Sequence, residues 1–190
     1  VNFGSCIVSI TRGRGRSTST TPATFPGRGV ITTTRSDMKT ASEMLWVTKI
    51  AFLPSGRRVS IAGTLRWDVL RLWSEIQSGL AHAAGKFGEA IASIGVDTWG
   101  VDWALVDAAG ELVGLPHAYR DPRNATAYEQ VVAKLGAEQI YQTTGIQFMQ
   151  LNTLYQLFAM AQRGSPVLDA AQTMLFMPDL FNYLFTGEKV

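Results

Sequence analysis

One cysteine, Cys6, stands alone among 190 residues, so the chain cannot form an intramolecular disulfide. Only two histidines are present, His82 and His117, and no Cys/His cluster has metal-ligand spacing. Each reads as a surface or loop residue, and no metal site is expected. No stretch reaches the roughly 18 consecutive apolar residues of a membrane span, and no basic-then-apolar leader is visible. A cytoplasmic location without membrane partners is the expectation. The common nucleotide and hydrolase signatures are also missing: no GxxxxGK[ST] loop, no GxGxxG between strand and helix, no GxSxG and no HExxH. Nothing beside Cys6 in sequence would activate its thiol, which argues against a cysteine nucleophile.

What is present is a globular composition, 46% hydrophobic, at a length suited to one domain. The net charge of +2 conceals an asymmetry. Residues 1–58 carry nine Lys/Arg against two acids, and residues 59–190 carry eight against thirteen. The basic excess includes Arg12-Gly13-Arg14-Gly15-Arg16, but no aromatic interleaves it and no nucleic-acid fold signature follows. No nucleic-acid partner is expected. The character of the chain changes near residue 45. Residues 1–45 form an atypical basic leader without helical periodicity, and residues 46–190 carry well-formed signals.

Met44 to Phe52 is an apolar run that reads as a strand, with Arg58 to Ile61 as its strand partner across Pro54-Ser55-Gly56. Asp68 is placed to cap a helix, and Trp67 to staple onto Leu72. Val69, Leu72, Trp73, Ile76, Leu80, Ala83 and Phe87 recur at helical steps, and Gly85 and Gly88 close the helix. Trp103 to Val106 predicts a strand turned back by Asp107-Ala108-Ala109-Gly110 into Leu112 and Val113. Asn124 reads as the cap of a helix with Tyr128, Val131, Val132 and Leu135 inward. A short helix is expected over 138–142. Asn152 reads as the cap of another, with Leu154, Leu157, Phe158 and Ala161 on one face. Met174 to Met177 predicts a buried strand, and Asp179 the cap of a last helix. The order indicates a mixed α/β domain.

The most informative segment is Ile94-Gly95-Val96-Asp97-Thr98-Trp99-Gly100-Val101-Asp102. It opens as a buried strand containing Ile91, Ile94 and Val96, then ends in polar residues. Ligand-facing groups gather at strand ends in α/β domains. Two carboxylates, an indole and a glycine there suit a polyhydroxylated ligand: carboxylates accept from hydroxyls, indole packs on C–H faces, and glycine admits close approach. A strand leading into a hairpin with Asp97 and Asp102 merely solvated is the alternative. Two more polar groupings follow. Tyr119-Arg120-Asp121-Pro122-Arg123 reads as an ion-paired loop orienting the next helix. Gly145-Ile146-Gln147-Phe148 leads to Asn152 and Thr153, with Gln147 as a ligand candidate.

Ser93 to Asp102 resembles a strand of the FGGY carbohydrate kinases, in their rhamnulokinase branch. So do Tyr119–Arg123, Tyr141–Phe148, Asn152–Leu157, Met177–Tyr183 and Gly63–Val69, in order over roughly residues 50–190. The resemblance implies an α/β lobe of the ribonuclease H-like, actin-like ATPase class, a mixed sheet flanked by helices. It implies transfer of the ATP γ-phosphoryl to L-rhamnulose, with ATP and Mg²⁺ as cofactors and with the substrates between two lobes. Catalysis of that kind rests on positioning, metal and a base. Substrate-binding candidates are then Gly100, Trp99, Asp97, Asp102, Gln147 and Asn152.

Three departures qualify it. The family's opening Asp-x-Gly-x-x-Ser-x-Arg phosphate loop has no counterpart in residues 1–45, where Gly27 and Arg28 keep only a Gly-Arg pair. A displaced reading frame or a mis-called start accounts for this and for the leader's charge. The catalytic Asp and the C-terminal lobe are expected beyond Val190. Gln150 replaces a usual proline. These departures predict a fragment with part of a sugar site and no turnover by itself. The alternative is a carbohydrate-binding or pseudokinase module.

Overall fold

The computed structural model describes residues 58–88 and 91–189, together with the backbone of the strand segments Cys6–Arg12, Ala23–Thr24, Gly29–Arg35 and Trp46–Phe52. The chain divides into two units: residues 1–57 with 69–99, and residues 58–68 with 100–190.

The first unit carries β1 (Cys6–Arg12), β2 (Ala23–Thr24), β3 (Gly29–Arg35), β4 (Trp46–Phe52) and β7 (Ile91–Asp97), in the order β2-β3-β4-β1-β7. Every pairing is antiparallel, with Ile7 opposite Asp97 and Ile10 opposite Ile94. β7 is therefore an edge strand among the described residues. The expected burial of this strand does not hold, since Ile94 is 48% exposed. A strand paired on one side only can leave apolar side chains on the surface. Helix α1 (Val69–Phe87) buries Val69, Leu72, Ile76 and Ala83 of the predicted stripe and also Gly79, while Trp73, Leu80 and Phe87 are half-buried. Gly88, at φ +52°, follows its last turn.

In the second unit, β5 (Arg58–Ile61) pairs with β6 (Thr64–Trp67), not with the 46–52 strand as the sequence suggested. Ala62 and Gly63 both have positive φ, 48° and 75°, which forms the tight two-residue turn that matches strand twist. Closing two residues costs less chain entropy than reaching back across the 53–57 segment. β8 (Trp103–Val106) is buried throughout and pairs with β9 (Thr173–Phe176). The predicted turn after β8 is also present: Glu111 N–H donates to Asp107 Oδ1 at 2.8 Å, and Val106 bridges Leu112.

Helices α2 (Arg123–Leu135), α3 (Ala137–Thr144), α4 (Thr153–Gln162), α5 (Pro166–Ala170) and α6 (Met177–Thr186) complete the unit. Their starts correct several expectations. Asn124 lies inside α2, and its Nδ2 donates to the Tyr119 carbonyl at 3.0 Å. Asp179 sits in the first turn of α6, where a carboxylate complements the helix dipole, rather than at its cap. Asn152 does occupy the N-cap of α4, without a side-chain capping bond. The inward face of α4 is Tyr155, Gln156, Ala159 and Met160, with Leu154 exposed. α2 turns likewise, burying Ala127 and Val131 and exposing Leu135.

Two apolar clusters hold this unit. Ala127, Val131, Ile140, Tyr155 and Ala159 join α2, α3 and α4, with the Tyr128 and Tyr155 rings edge-on at 4.9 Å. Trp103, Leu105 and Met160 join β8 to α4. Aromatic burial of this kind contributes about 1.5–3 kcal/mol per ring, and edge-on pairs add about 1.

Candidate functional site

Asp102 ends the polar segment and is the organising residue of the second unit. Its side chain is fully buried, so each carboxylate oxygen needs a donor. Oδ2 accepts from Trp67 Nε1–H and, at 3.1 Å, from the Tyr119 N–H; Oδ1 accepts from Gln156 Nε2–H at 2.9 Å. β6, the 115–121 loop and α4 thus converge on one buried charge. Trp67, expected to staple the following helix, directs its indole N–H to this carboxylate. Of the two sequence readings of Asp102, ligand contact or a merely solvated carboxylate, its full burial overturns the second, and protein donors meet both of its oxygens.

The neighbouring backbone is held as tightly. The Val101 carbonyl accepts from Thr153 Oγ1–H at 2.8 Å and from Gln156 Nε2–H at 3.2 Å, and Gln156 also reaches the Leu151 carbonyl at 2.9 Å. Asn152, half-buried, donates through Nδ2 to the Gln147 carbonyl at 2.8 Å. The Gln147 side chain is exposed, as is Gly100. A Cβ built on Gly100 meets no atom within 4 Å. The Thr153–Val101 and Asn152–Gln147 bonds thus tie together the segments that carry Gly100, Gln147 and Asn152.

In the first unit, Asp97 ends β7 as an exposed residue, while Trp99 is 5% exposed. Gly27 and Arg28, the nucleotide candidates, lie outside the described residues.

The Tyr119–Arg123 loop acts as the sequence suggested. Asp121 Oδ2 accepts from the Leu65 N–H at 2.6 Å and Oδ1 from the Arg123 N–H at 3.0 Å, which sets the start of α2 against β6. Arg123 Nε lies 3.7 Å from the same carboxylate. His117, read from sequence as a surface or loop residue, is in this loop but 8% exposed. Burial first, then the charges of Arg123, Arg66 and Arg163, push it down to about 3, so it is neutral at ordinary pH. Its 3.9 Å approach to Asp121 is consequently not an ion pair. Burial likewise draws Arg123 down to about 10, partly offset by Asp121.

Sequence reasoning gave Gln156 no role. A glutamine between Tyr155 and the Leu157-Phe158 pair was the available signal, because a polar residue inside an apolar helix face needs a buried partner.

Among the described residues, no three His, Cys, Asp or Glu side chains gather into a protein-only metal cluster. Among the described residues, no helix is long and apolar enough to cross a membrane.

Comparison with known proteins gives these arrangements a context. The N-terminal domain of the FGGY family of carbohydrate kinases matches residues 39–190. A rhamnulokinase from Bacteroides thetaiotaomicron is 41% identical over 132 residues, 70% of this chain and 27% of the relative. One from Pectobacterium atrosepticum is 46% identical over 125 residues, 66% of this chain and 25% of the relative. The chain thus spans about a quarter of these relatives' length. In structure it resembles a gluconate kinase and a xylulose kinase, both from Lactobacillus acidophilus. Their TM-scores are 0.66 and 0.65, each at 17% identity, over 76% of this chain and 29% of theirs. That likeness establishes the actin-like α/β fold expected from the sequence. The chain belongs to the FGGY family of carbohydrate kinases and carries sequence of its N-terminal domain.

Proposed function

We propose that this chain supplies ketose-binding residues of an ATP-dependent sugar kinase whose acceptor is L-rhamnulose. The observation that carries the reading is the open backbone at Gly100 beside Gln147 and Asn152, braced by the buried Asp102 network. The 41–46% identity to relatives named rhamnulokinase supports this choice of sugar. Gly100 lets the ketose approach the main chain, and Gln147 and Asn152 offer amide groups to its hydroxyls. Asp97 and Trp99, in the first unit, remain candidates on the sequence motif alone. Asp102 acts one step back, fixing the Val101 to Trp103 backbone from which the contacts project. No residue of the chain is assigned as the base, and ATP and Mg²⁺ belong to the whole enzyme.

Calorimetric titration with L-rhamnulose tests the reading. Gly100→Ala adds a methyl where the ketose would lie but into empty space in the free protein. It should weaken binding about tenfold, the effect of one misplaced methyl group, with an unchanged unfolding midpoint. Equal affinity in the variant and the parent would reject the site.

A further inference from the structure

Within the second unit, a cavity of about 170 Å³ is lined by Thr64, Arg66, His117, Arg123, Arg163 and Ser165, with Met160 the apolar member. Three guanidiniums line it and no carboxylate does. Arg123 is the key group. Its side chain is 3% exposed, yet Nε and Nη2 are buried without a hydrogen-bond partner among the described residues. The 3.7 Å to Asp121 is an ion-pair distance, too long for a hydrogen bond. A buried guanidinium with open donors is costly unless an acceptor arrives.

The surrounding groups do not supply that acceptor. Asp121 already accepts from the Leu65 and Arg123 main-chain N–H groups, and Asp102 from Trp67, Tyr119 and Gln156. Arg66 spends Nε on Thr64 Oγ1 at 3.1 Å and Nη1 on the Leu115 carbonyl at 2.8 Å, leaving Nη2. His117 Nδ1 is also buried without a hydrogen bond. Arg163 is exposed at the C-terminal end of α4. Mutual repulsion among the three arginines opposes the charge on Arg123, and a bound anion would relieve it.

We propose that this cavity binds a small tetrahedral oxyanion, phosphate either free or as a monoester. Donors from three arginines, with Thr64 and Ser165 hydroxyls beside them, surround more oxygens than a planar carboxylate presents. Guanidinium forks match phosphate oxygens two at a time. The volume is ample for an ion the size of phosphate. The proposal is independent of the ketose reading.

The test titrates the intact 190-residue chain with sodium phosphate against chloride at matched ionic strength, by calorimetry and thermal unfolding. Phosphate should bind and raise the unfolding midpoint where chloride does not. Arg163→Ala removes an exposed side chain and one source of repulsion, so it should not lower the midpoint in chloride. It should weaken phosphate about tenfold, the equivalent of one charge-assisted hydrogen bond; Arg163→Glu should abolish binding. Glycerol 2-phosphate separates the sources: binding at least as tight as free phosphate assigns the site to a monoester, and weaker binding to the free ion. Phosphate no better than chloride, acetate as good as phosphate, or Arg163→Glu binding like the parent would each overturn the proposal.

Discussion

Asp102 shows what a single buried carboxylate does for this fold. Three donors from separate segments depend on it. Asp102→Asn keeps the shape but replaces one acceptor oxygen with an NH₂ group facing a donor. Breaking such a buried charged network costs about 2–4 kcal/mol. Urea unfolding should show a lower midpoint at an unchanged slope; a midpoint equal to the parent's would mean that the network contributes little. His117 makes a pH-dependent contribution through the opposite physics. It is lowered from 6.5 in the unfolded chain to about 3 when folded, facing Arg66, Arg123, Arg163 and Asp121. Between those values the unfolded chain takes up a proton that the folded chain refuses, so stability falls as pH drops through the window and levels off below about 3. His117→Gln should flatten that slope; a parallel slope in the variant would assign it to other groups. This burial was not legible in the sequence, because a lone histidine in a loop carries no periodicity.

At the scale of elements, the β5–β6 hairpin carries a visible imperfection. Ala62 adopts φ 48°, a conformation that alanine disfavours by about 1 kcal/mol and asparagine tolerates. Ala62→Asn should therefore stabilise the chain by about 0.5–1 kcal/mol, read as a raised urea midpoint. No gain would imply that the turn relaxes in solution. The turn at Gly110 is better matched, since its φ of 85° suits glycine and a Cβ there would collide with the Tyr183 hydroxyl. Helix positions were largely legible in the sequence: α1, α3, α4 and α6 fall near their expected spans. Their exact faces were less so. α4 turns Gln156 inward and Leu154 outward because a buried carboxylate awaits the glutamine, a demand invisible to an apolar-spacing rule. The pairing of β5 was missed for a related reason. A two-residue Ala-Gly turn lacks the usual Asn-Gly signal, so the hairpin was not apparent.

For the whole molecule, the proposed ketose reading, in which no residue of this chain is assigned as the base, has a direct consequence. The 190 residues should bind L-rhamnulose yet produce no rhamnulose-dependent ADP in a coupled assay with ATP and Mg²⁺. ADP formation above the sugar-free background would establish complete catalysis in this chain. The ordered motifs from residue 63 to 187 determined the family and the α/β class by themselves, because spacing along a chain survives without coordinates. They also nominated Gly100, Gln147 and Asn152, which share a local stretch or an adjoining loop. Only the tertiary structure showed that Asp102 is buried and that Gln156 donates to it. Only it could gather Arg66, Arg123 and Arg163 around one cavity, since these residues lie on three elements far apart in sequence. Burial and the meeting of distant charges depend on how the chain returns upon itself, and no local pattern encodes that.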